Sequence, residues 1–223
     1  VKGNNNGIFV TNSATVDLIN KTDFVVSDSG IGILAGDSNG IGTVTKIENS
    51  TFDVKDTNAN TGSDKTGTGI YMYQGNVTVE KNVTMTGDSN DIFITIRNRD
   101  HDNTIDFKGA NGTDRALLEA TGANNVGINI QNGDSAATQG KTVNTSTNKG
   151  WNINFVGDNN TGIKNNYFAD TLVVKNTVST LPTSLTDSGV MTITGENATG
   201  FVNLGYVNAA TLQLDYLNLS GVH

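Results

Sequence analysis

The chain has no cysteine, which removes disulfides, zinc–thiolate sites and thiol nucleophiles at once. Cohesion must come from hydrogen-bond ladders and packed side chains instead. A single proline leaves strands and turns almost free of the residue that cannot donate a backbone hydrogen bond. Consecutive strong helix formers are scarce, the best run being Asp114 to Ala120, so helix is expected to be minor at most. Fourteen basic residues against twenty-two acidic ones give a net charge of −8. No Lys/Arg patch is long enough to follow a phosphate backbone, so nucleic acid is not an expected partner. No apolar run approaches the roughly 20 residues that cross a bilayer as a helix, and membrane insertion of this segment is not expected.

What is abundant is 32 Asn, 31 Thr and 26 Gly in 223 residues, a turn-and-strand composition. A four-residue turn recurs: GDSN at Gly36–Asn39 and Gly87–Asn90, GANN from Gly122, GDNN from Gly157 and GENA from Gly195. From Gly87 onward these are spaced 35, 35 and 38 residues apart, the period of a solenoid repeat. Two and four positions before the glycines stand Met85 and Val83, Ala120 and Leu118, Phe155 and Ile153, and Ile193 and Met191. Between them lie Thr84, Glu119, Asn154 and Thr192, the alternation of a strand with one apolar face. Five or six residues after the glycine comes another apolar position: Ile41, Ile92, Ile128, Ile163 and Phe201. The openings GIFV at Gly7 and GIYMY at Gly69 fit the same scheme. The reading is all-β: a right-handed parallel β-helix of about seven coils with inserted loops, residues 1–223 forming one segment excised from a longer rod. An antiparallel sandwich is the alternative, disfavoured by the long regular period.

With this turn, the GI or GF opening, the Asn and Thr load and the missing cysteines, the sequence resembles passenger domains of type V autotransporters, in style most like the large outer-membrane adhesins of fusobacteria. The resemblance implies export through a barrel that is not in this chain. It implies display on the bacterial cell surface, with attachment to host-cell receptors, glycans or partner bacteria. The rest of the passenger domain would adjoin both ends.

Catalysis is not expected, because Asp91, Asp106 and Glu119 fall in different parts of a coil and no carboxylate pair repeats between coils. The densest polar cluster is RNRDHD, Arg97 to Asp102, after the strand Asp91 to Ile96. Arg97, Arg99 and His101 are candidate ligand contacts, since arginine offers a planar donor fork to a carboxylate or acidic glycan. Strict alternation also turns Phe9, Tyr71, Tyr73 and Phe93 outward, opposite Ile8, Ile70, Met72 and Ile92, as a stripe suited to stacking on sugars. The binding loops are taken as 53 to 68, 97 to 103 and 131 to 150. Asp56, Asn58 and Asn60 mimic the opening of a calcium loop, but the glycine is displaced to Gly62 and Gly67 stands where glutamate is needed, so no metal or other cofactor is assigned. Nine Asn-x-Ser/Thr triplets begin at Asn20, Asn49, Asn76, Asn82, Asn111, Asn144, Asn159, Asn197 and Asn218, as composition alone would produce.

Overall fold

A computed structural model describes residues 5–55, 68–97, 103–108, 116–131, 141–145, 151–165, 169–176, 189–203, 207–215 and 217–222. Among them there is no helix, and all pairings between strands are parallel. The strands form three sheets. The first holds Asn6–Val10 (β1), Ile31–Ala35 (β5), Thr68–Met72 (β8), Ile92–Arg97 (β11), Val126–Gln131 (β14), Thr161–Asn165 (β17) and Thr199–Asn203 (β20). The second holds Ala14–Val16 (β2), Gly42–Glu48 (β6), Gly75–Val79 (β9), Asn103–Phe107 (β12), Lys141–Thr145 (β15), Ala169–Asn176 (β18) and Val207–Asp215 (β21), with Ile19–Asn20 (β3) beside β6. The third holds Asp23–Val26 (β4), Ser50–Val54 (β7), Val83–Gly87 (β10), Ala116–Thr121 (β13), Trp151–Val156 (β16), Gly189–Thr194 (β19) and Leu217–Val222 (β22). The chain visits first, second and third sheet in turn and then begins again, a solenoid-like path. Residues 116–120, the best helical run in the sequence, are strand β13: a buried site between β10 and β16 outweighs their propensity.

The core lies between the sheets as stacked rows. One row from the first sheet is Ile33, Ile70, Ile94, Ile128 and Ile163, each fully buried, extended by Ile8 and Phe201. The third sheet answers with Phe24, Phe52, Met85, Leu118, Ile153 and Met191 in register. Phe24 and Phe52 stack with ring centroids 4.5 Å apart. Each such side chain contributes about 1.5–3 kcal/mol by burial, so the rows outweigh any single surface pair. Thr84, Glu119, Asn154 and Thr192 stay partly exposed on the opposite face, as alternation requires.

Polar rows close the corners. Between the third and first sheets, Asn90, Asn124, Asn159 and Asn197 adopt φ of 64°, 62°, 57° and 55°, the left-handed region that asparagine tolerates. Their amides form rungs, Asn124 Nδ2 donating to Asn90 Oδ1 at 3.0 Å and Asn197 Nδ2 to Asn159 Oδ1 at 3.2 Å. The next residues, Asp91, Asn125 and Asn160, are fully buried and tie successive turns together. Earlier in the chain a similar row, Asn20, Asn49 and Asn82, occupies the corner between the second and third sheets.

Three expectations need correction. Gly36–Asn39 lies between β5 and β6, a different corner from Gly87–Asn90, and Ile41 after it belongs to no strand. Met85 pairs with Leu118 and not with Ala120, because Gly87 ends β10 while Gly122 lies beyond β13. In the first sheet Ile92 pairs with Val126, so Ile94, not Ile92, is the counterpart of Ile128 and Ile163.

Candidate functional site

Arg97 ends β11 where the chain leaves the first sheet for the second. Its guanidinium carbon lies 4.9 Å above the ring of Tyr73, which follows β8 one circuit earlier. A planar cation over an aromatic face is an attractive pair and keeps the donor fork at a defined height. The backbone below is fixed by Asn103, fully buried at the start of β12: its Nδ2 donates to the Arg97 carbonyl at 3.0 Å and its Oδ1 accepts the Gly75 N–H at 2.9 Å. Gln131 stands beside Arg97 in register on β14. Nearby, the buried Gln74 donates through Nε2 to the Asp37 carbonyl. Asn103 and Gln74 are the residues that sequence reading passed over. Their signal is a polar side chain at a position where the repeat buries its neighbours.

Of the sequence candidates, the structure brings Arg97 and Tyr73 together. Tyr71 sits on the outer face of the first sheet, level with Thr95 and Asn129, but that stretch is closed to solvent, with exposures of 4%, 0% and 5%. Phe93 points inward and is fully buried, its ring 5.2 Å from that of Phe155. The expected aromatic stripe is therefore not a continuous surface: Phe9 is 49% exposed and Tyr73 partly exposed, while Tyr71 and Phe93 are buried. Arg99 and His101 lie outside the described residues, as do 56–67, with Asp56, Asn58 and Asn60, and 132–140 and 146–150.

Electrostatics at the described sites is local. The Thr11 hydroxyl holds the Asp37 carboxyl below its ordinary range against the opposing effect of desolvation, helped by N–H donors from Asn39 and Gly40. Glu48 and then Glu80 raise Lys46 above the usual lysine value, at 3.1 and 3.4 Å. Asp53 does the same for Lys55 at 3.1 Å. Asp91, Asp106 and Glu119 sit at a corner, on the second sheet and on the third sheet. Among the described residues no three His, Asp or Glu side chains gather as a metal site would require. Of the triplet asparagines, Asn49, Asn82 and Asn197 spend their amide nitrogens on ladder rungs. No family model, no curated protein and no solved structure matches the chain.

Proposed function

We propose that this chain is a segment of a right-handed parallel β-helix of about seven coils, displayed on a bacterial surface, that works as an adhesin by binding a receptor or glycan rather than by catalysis. The observation that carries the reading is the contrast between strands and connections. Strand pairing runs on through all three sheets, with register shifts at β6–β9 and β18–β21, while the links around β12, β15 and β18 lengthen, with 98–102, 108–115, 132–140, 146–150 and 177–188 between strands. A rod held by its ladders can vary such segments without altering its core, which is how a scaffold carries recognition. Arg97 over Tyr73 stands where one of these links begins, and Arg99 and His101 lie within it. An acidic sugar or carboxylate is the ligand class this group fits.

The test is binding of the isolated chain to host cells and to a glycan array containing sialylated and uronic acid glycans. Arg97→Ala with Arg99→Ala is expected to weaken binding by about 2 kcal/mol, roughly 30-fold, with a folded spectrum retained. Unchanged binding by the double variant would remove these residues from the site. A parent chain that binds neither surface would leave a structural spacer, which the continued strand pairing in all three sheets also suits. Release of products from polysaccharides would overturn the non-catalytic reading.

A further inference from the structure

The first sheet carries a row of glycines just ahead of its inward row of isoleucines and Phe201: Gly32, Gly69, Gly127, Gly162 and Gly200, one per strand. Each lies level with the next, and the space it leaves is taken by the third sheet. A Cβ on Gly127 would lie 2.6 Å from the Gly162 carbonyl oxygen and 3.3 Å from Ile153. One on Gly162 would meet the Gly200 carbonyl oxygen at 2.6 Å and the Met191 sulfur at 2.7 Å. A single strand departs from the row: β11 has Phe93 at this level. The third sheet departs in the complementary sense at the facing level. Its inward row reads Val26, Val54, Gly87, Ala120, Phe155 and Ile193, and a Cβ on Gly87 would lie 2.8 Å from Phe93 Cζ. The ring of Phe93 fills the volume that Gly87 and Ala120 vacate and leans on Phe155.

We infer that Phe93 and Gly87 form a register key that lets the stacked circuits assemble in one order. Repeats so alike invite a slipped product in which one circuit is looped out and the next two pair across the gap. If β8 to β10 were looped out, β13 would pair with β7 and Phe93 would face Val54, where no room exists for its ring. The exchange of large for small between two sheets thus blocks a slip that backbone pairing alone allows.

The chain's lack of cysteine permits a direct test by disulfide trapping. Thr51, Thr84 and Leu117 lie side by side on β7, β10 and β13. Thr84→Cys with Leu117→Cys reports the native order, and Thr51→Cys with Leu117→Cys reports the slip, because two strand spacings, about 9.6 Å, exceed what a disulfide spans. After refolding from denaturant and oxidation with diamide, the parent background is expected to give the 84–117 bond and no 51–117 bond. Adding Phe93→Gly with Gly87→Val, which restores both rows to their common pattern, is expected to make the 51–117 product appear. Should that variant not fold, Phe93→Leu is expected to raise it in the same direction. A 51–117 product in the parent, or native bonds alone in the folded variants, would overturn the key.

Discussion

Asp91, Asn125 and Asn160 occupy equivalent buried positions, yet one is a carboxylate and two are amides, and the backbone decides which. Between paired positions the path from Gly87 to Ile92 is one residue shorter than that from Ala120 to Val126, and it presents the Asp88 N–H, which Asp91 Oδ2 accepts at 2.7 Å. The longer paths after β13 and β16 present carbonyls. Asn125 Nδ2 donates to Asp88 and Gly122 oxygens at 2.9 and 3.1 Å, and Asn160 Nδ2 to Gly122 and Gly157 oxygens at 2.9 and 2.8 Å. Asn125→Asp sets a buried carboxylate against two carbonyls and is expected to cost about 3 kcal/mol or more. Denaturant titration checks this, and a loss under about 1 kcal/mol would contradict the donor assignment. Asp37 carries the acid sensitivity that can be read at this scale. Its folded pKa lies below its ordinary value, so its contribution is present above that value and is lost as pH falls through the folded one. The stability gap between the parent and Asp37→Asn should therefore shrink below about pH 4, as thermal melts across pH 2–6 would record.

At the level of strands, the glycine row makes the sharpest demand. Gly162→Ala places a methyl against the backbone of β20 and the side chains of β19, and is expected to lower stability by about 1–3 kcal/mol, whereas Thr192→Ala on the outer face should change it by under about 0.5 kcal/mol. Similar melting temperatures for the two would mean the sheets do not approach as described. The strands themselves were legible in the sequence because Val83, Met85, Leu118, Ile153 and Ile193 repeat with period two and the turns recur at about 35 residues. Register was less legible. The shared letters GDSN serve two different corners, and Gly87 pairs with Ala120, two residues before Gly122, so aligning the two glycines moved Met85 from Leu118 to Ala120. Phe93 was misread for a physical reason: in this sheet two consecutive residues face inward, as Gly127, whose missing Cβ would meet Ile153, and the core residue Ile128 both do, so strict alternation fails at the start of each strand. The proximity of Arg97 and Tyr73 was hidden because it spans a full circuit and depends on β8 and β11 pairing in a register that spacing alone left open.

Taken whole, the described residues draw their cohesion from rows that run through successive strands: apolar rows inside, asparagine rungs at the corners. Thiols are absent from the chain, and the described side chains form no metal cluster, so neither reductant nor chelator should matter to stability. The thermal midpoint is expected to be unchanged by either at neutral pH. A fall of several degrees with chelator would point to cation binding in 56–67, where Asp56, Asn58 and Asn60 lie.

Parallel pairing gives this chain a direction as well as a shape. Backbone hydrogen bonds between neighbouring strands lie roughly along the direction in which the strands stack. A pull applied at the two ends of the stack therefore meets those bonds head-on and in sequence, like a zipper, and not all together in shear. Under tension such a stack gives way by peeling one circuit at a time from an end, each release letting out between 24 and 38 residues of slack and leaving the remaining rows intact.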